Sequence, residues 1–129
     1  MSKAVSRRLI QAETAGNEFV VVAGSWVPAG TGTTAPTGVL GAGFVVTQSA
    51  SGVFNIAFTN PYKQRISFVC TAMTGGETSD FYAQSGDPVA ATASAGQIIR
   101  VRTMTGATPT NMSAETTPRV EFVAIFAKR

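Results

Sequence analysis

The stretch Gly43–Ala72, GFVVTQSASGVFNIAFTNPYKQRISFVCTA, constrains the fold more than any other part of the chain. Apolar side chains recur there at every second position, the period of a strand with one buried face and not the 3.6-residue period of a helix. Phe44, Val46 and Gln48 fall on one side of the first run, with Val45 and Thr47 on the other. Ser49–Gly52 has the size of a hairpin turn. Phe54, Ile56 and Phe58 then alternate with Asn55, Ala57 and Thr59. Pro61 has no N–H to give to a ladder, and beyond it Ile66, Phe68, Cys70 and Ala72 share a face. The expectation is a three-stranded meander.

The flanking segments continue the pattern. Glu18–Ala23, EFVVVA, reads as a first strand because β-branched valines favour the pleated backbone. Trp26 and Val27 can extend it before Pro28. Pro28–Gly41 reads as a long loop of Gly, Thr, Pro and Ala. Within it Gly30–Ala35 matches a GxGxx(G/A) dinucleotide pattern, but Pro36 follows and no helix opens to meet a pyrophosphate, so no nucleotide site is expected. A strand at Phe81–Ser85 is bounded by loops at Thr74–Ser79 and Gly86–Gly96. In Gln97–Thr103, Ile99 and Val101 point inward, while Ile98, Arg100 and Arg102 point outward. Met104–Pro118 reads as a third polar loop. Arg119–Ala127 closes the pattern with Val120, Phe122, Ala124 and Phe126 on one face and Val123 and Ile125 on the other, which predicts a central or covered strand. Together these predict an all-β chain, a jelly-roll-like antiparallel β-sandwich of about seven or eight strands. Residues 18–129 would form one domain, preceded by an extended arm over residues 1–17.

A chain of 129 residues can bury roughly two-thirds of its unfolded surface without help from disulfides or metals. Charged residues are 13% of it, against a norm of about 25%, and Thr, Ser, Ala and Gly fill the gap. Such a surface is weakly defended against association. It belongs either to a Thr/Ser-coated soluble domain or to a protein whose surface is covered by partners. The net charge is +3, concentrated in the arm, where Lys3, Arg7 and Arg8 face Glu13. The arm is either a frayed terminus or a segment that orders on a neighbouring subunit, with Arg7 and Arg8 pairing to carboxylates there. The body lacks the dense basic stripe of a nucleic-acid binder. Cys70 is the single cysteine, which excludes an intramolecular disulfide. No apolar run approaches the ~20 residues of a membrane-spanning helix. No apolar core follows the basic N-terminal residues, so the expected site of synthesis and assembly is a cytoplasm.

The chain has no histidine. That removes the commonest general base, the Ser–His triads and most zinc sites. Cys70 is in phase with Phe68 and reads as core, not as a nucleophile. Glu77, Asp80 and Asp87 could in principle form a glycosidase pair or a calcium site, but their spacing fits no calcium loop, and carboxylates beside turns ordinarily cap them. The expectation is a protein that is not an enzyme, with no cofactor. Its candidate partner contacts are Lys3, Arg7, Arg8, Trp26, Arg100, Arg102 and Arg119. For the three strand arginines the alternative is a solvated sheet face paired with Glu121.

The hairpin strand GVFNIAFTNPY, the strand RISFVCTAM, the QIIRVRT strand and the closing RVEFVAIFAKR together resemble the small β-rich virion proteins of tailed double-stranded DNA bacteriophages. The chain is most similar to capsid decoration, or cement, proteins. The resemblance runs from about Gly43 onward and leaves residues 1–42 unmatched. It implies a structural protein of the virion that binds the major capsid protein on the outside of the shell as a dimer or trimer, assembled in the host bacterial cytoplasm. It brings no catalytic residues. Related strand patterns occur in tail-fibre and receptor-binding modules. In that alternative Trp26, Tyr62, Phe81 and Tyr82 would be platforms for host surface glycans.

Overall fold

The computed structural model describes residues 19–29, 33–62, 64–75, 81–86, 96–112 and 117–127. The arm expected over residues 1–17 lies outside them. The described residues contain no helix and form strands β1 (Phe19–Val27), β2 (Thr37–Gly41), β3 (Phe44–Ala50), β4 (Val53–Phe58) and β5 (Gln64–Met73). They continue with β6 (Tyr82–Ser85), β7 (Ile98–Thr105), the two-residue β8 (Thr108–Pro109) and β9 (Arg119–Ala127). All pairings are antiparallel. One sheet has the order β2-β1-β9-β5, and the second has β3-β4-β7-β6, with β8 folded back on the end of β7.

The alternation read from the sequence decides which side chains lie between the sheets. Val22, Trp26, Val120, Phe122, Ala124 and Phe126 from the first sheet meet Phe44, Phe54, Ile56, Phe58, Ile99 and Val101 from the second in one core. Phe122 is its centre. Its ring lies 4.9 Å from Phe44 and 6.0 Å from Phe58, both edge-on, 6.1 Å from Trp26 and 5.7 Å from Phe68. Offset and edge-to-face contacts of this kind add to the burial of the rings themselves. Gly24 faces Phe122 across the ladder and leaves the space that the Phe44 ring fills. The chain steps from the first sheet to the second through Gly41 and Gly43, at φ 112 and 89, values that favour glycine.

Four expectations are corrected. Gly43–Ala72 is not a meander: β3 and β4 form the predicted hairpin, but β4's other neighbour is β7, and β5 pairs with β9 in the opposite sheet. Asn60–Tyr62 carries the chain across the core, where the Tyr62 ring stacks on Phe126 at 5.0 Å. Part of the expected Pro28–Gly41 loop is strand β2, which pairs with β1. Ile66 is 49% exposed, not in the core with Phe68. A register irregularity between Arg65 and Ser67 leaves Ile66 unpaired and shifts the alternation by one position. Residues 104 and 105, expected in a loop, belong to β7, and the closing strand has the predicted bounds.

Candidate functional site

The outer face of the four-stranded sheet is the feature least like the surface of a solitary domain. Facing away from the core, Val21 sits beside Ile125, and Ala23 and Val69 flank Val123. Val21 is 62% exposed, Val69 60% and Val123 44%, and Phe19 and Met73 at the two ends of the face are also open to solvent. These are strand residues whose partners are fixed by backbone hydrogen bonds, so the patch is rigid and contiguous. Its middle is a shallow depression of about 290 Å³ lined by Ala23, Ser25, Val69, Thr71, Glu121 and Val123.

Among the described residues, charge is confined to one end of this face. Glu121 is the one carboxylate among the described residues. Arg119 is already engaged: its Nε donates to Ser25 Oγ at 2.9 Å, and an Nη donates to the Gly38 carbonyl at 2.9 Å. The side chain thus pins β2 to β1 and β9, and it covers Ser25. That local role was not visible in the sequence, where Arg119 stood as a docking residue.

Arg100 and Arg102 lie where the alternation put them, on the outer side of β7. Neither pairs with Glu121, which belongs to the other sheet. Arg100 Nε donates to Asn55 Oδ1 at 3.4 Å, a long contact. With Arg65, Gln84, Ser85 and Gly86 they line a second concavity, of about 490 Å³. Arg65 was missed by sequence reading because the irregularity after it hides its phase; in register it lies opposite Phe126.

Trp26 is a correction. It has no exposed surface, and its ring packs 5.4 Å from Phe54 in the core, so it offers a partner nothing. The physical reason is strand phase, since Trp26 follows Val22 and Gly24 at two-residue intervals on β1. The four aromatic residues considered as glycan platforms do not form one surface. Tyr62 and Phe81 are partly buried against the core, and Tyr82 is exposed, its hydroxyl donating to the Gly106 carbonyl. Lys3, Arg7, Arg8, Glu77, Asp80 and Asp87 lie outside the described residues, as do residues 30–32 of the glycine-rich pattern. Among the described residues no group of three or more His, Cys, Asp or Glu could hold a metal ion. Cys70 is half-buried, and burial pushes its thiol up to about 11, away from the thiolate that a nucleophile needs.

No family model, no curated protein and no solved structure matches this chain.

Proposed function

We propose that this chain is a non-catalytic structural subunit, a capsid decoration protein that binds the major capsid protein on the outer surface of a phage shell. In this reading the sandwich is of the jelly-roll kind. The protein is assembled in the host bacterial cytoplasm, and the outer face of the four-stranded sheet is the docking surface. One observation carries the reading: Val21, Val69 and Val123 form an exposed, rigid, nearly uncharged patch. Monomeric soluble proteins rarely leave such surface uncovered. With one carboxylate and an arginine engaged internally, the face complements an apolar protein surface and not a charged one. Covering a fully exposed valine contributes about 1.5–3 kcal/mol. Each of these is part-covered already, so the gain per residue is smaller and several must act together. Copies linked as a dimer or trimer would multiply that modest contact through effective concentration.

The test is occupancy on emptied, expanded shells of the phage that encodes the chain, read by co-sedimentation. Saturable binding is expected, and Val69→Lys with Val123→Lys should lower occupancy at least tenfold with the fold intact by circular dichroism. Two results would count against the reading. One is wild-type protein that stays in the supernatant. The other is a dimer in sedimentation velocity that the same double substitution dissociates, which would give the face to a second copy. Binding to immobilised glycans but not to shells would favour the tail-fibre alternative.

A further inference from the structure

The geometry points to a binding site for a phosphate-type polyanion in the concavity lined by Arg65, Arg100, Arg102, Gln84, Ser85 and Gly86. Three arginines line one depression of about 490 Å³. None of them pairs with a carboxylate among the described residues: Glu121 lies on the other sheet from Arg100 and Arg102, and on Arg65's own sheet it is in register with Thr71, six residues along β5. Like charges gathered in one depression repel one another, and an anionic ligand relieves that repulsion while supplying charged acceptors.

The arginines approach from two directions. Arg100 and Arg102 stand on the same side of β7, roughly 7 Å apart along the strand. Arg65 comes from β5, the edge of the opposite sheet. Arg102 is in register with Gln84 on β6, and the Gly86 amide donates to the Arg100 carbonyl at 2.7 Å, which fixes the strand end that carries Ser85 and Gly86. The donors therefore sit on, or at the ends of, paired strands, the kind of support that holds a site in one geometry.

Ligand class follows from charge and shape. A single carboxylate carries one charge, is planar and is saturated by one arginine fork. Three forks arriving from two sheets match tetrahedral groups with three free oxygens each and two or more charges in all. The amide of Gln84 and the hydroxyl of Ser85 add neutral donors for the remaining oxygens. The volume exceeds that of one phosphate and leaves room for two linked phosphates.

The test is calorimetric titration of the full chain with inorganic pyrophosphate at about 0.15 M ionic strength, where the Debye length is about 8 Å. Saturable one-to-one binding is expected. Arg102 makes no hydrogen bond or ion pair within the described residues, so Arg102→Gln removes a ligand contact and no bond to a described residue. It should weaken binding about tenfold or more, the worth of one charge-assisted hydrogen bond. Arg65→Gln should act similarly, and Arg102→Lys should restore only part of the loss. The triple variant K3Q/R7Q/R8Q removes three positive charges from the arm, against one in Arg102→Gln, and should stay within about twofold of wild type. A thymidine oligonucleotide that binds more tightly than pyrophosphate would place the phosphates on a polymer, and the reverse order on a small molecule. The proposal is overturned by absence of saturable binding, by citrate binding as tightly as pyrophosphate, or by the arm variant losing as much affinity as Arg102→Gln.

Discussion

On the four-stranded sheet the side chains pointing away from the core include Val21, Ala23, Val69, Val123 and Met73; on the other sheet they include Thr47, Asn55, Gln84, Arg100 and Arg102. Both sheets obey the same two-residue period, and both present their inner sides to the same aromatic core. The second sheet's outer side is not uniformly polar, since Val45, Ala57 and Ile98 form one apolar row across it. The difference lies in what interrupts the apolar surface. Rows of Asn and Arg break it on one sheet, and on the other the polar residues stand at the ends, Ser67 beside Ile125 and Thr71 beside Glu121. Alternation alone therefore builds a layered fold, while the identity of the outward residues decides how apolar the outer side of each layer is.

The comparison breaks most severely at Phe122, which supports both sheets at once. Phe122→Ala should lower unfolding free energy by about 3–5 kcal/mol, read as a lower urea midpoint. Probes on the two sheets should report one common transition; two separated transitions would show that the sheets are independent. The next largest effect compares adjacent positions on β5 that face opposite ways. Cys70, with its thiol raised from 9.0 to about 11, should alkylate at pH 8 about a hundredfold more slowly than an outward thiol in the variant Val69→Cys with Cys70→Ala. Because the folded chain holds this proton more tightly, the stability linked to it is whole below pH 9.0 and is lost as pH rises through about 11. A native Cys70 that reacts as fast as the outward thiol would contradict its inward placement.

Smaller effects sharpen the contrast. At Gly24 an added Cβ would lie 2.3 Å from the Phe44 ring and 2.8 Å from the Leu40 carbonyl oxygen. Gly24→Ala should therefore cost about 1–3 kcal/mol through overpacking, measured by thermal melting. Least of all, Val69→Thr should change stability by under about 0.5 kcal/mol. The same exchange at Val101, which has no exposed surface, should cost about 1–3 kcal/mol. Equal losses at the two sites would mean that the outer face is not open to solvent.

Much of the strand layout was legible, for a physical reason that also sets its limit. Period-two alternation reports which way a side chain faces, so Phe54, Ile56, Phe58, Ile99 and Val101 were read correctly as inward, and Phe122 and Phe126 as sharing one face of the closing strand. It carries nothing about which strand lies alongside, and β5 was therefore assigned to the wrong sheet. Strand β2, TGVLG, was missed because it has no buried side and contains Gly38 and Gly41 at positive φ. Trp26 could have been found: carrying the Val20, Val22 count through Gly24 lands on it. Arg65 could not, because an irregularity at Ile66 resets the phase without leaving a mark in residue type. Of the expected contact residues, Arg100 and Arg102 share one depression, to which Arg65 is added. Trp26 is withdrawn into the core, and Arg119 is committed to holding β2.

The position of β9 between β1 and β5 has a consequence for how the chain reaches this state. As the polypeptide emerges from the ribosome, β3 and β4 can pair as soon as both are made, and β1 can find β2. No bond of the ladder joins β1 to β5 until Arg119–Ala127 arrives and inserts between them. Half of the core is therefore closed by a late, long-range event, of the kind that places folding in milliseconds to seconds and not microseconds. Until then Val69, Cys70 and Phe68 are carried on a strand with both edges open, and it is nascent or truncated chain, more than the finished protein, that should be prone to aggregate.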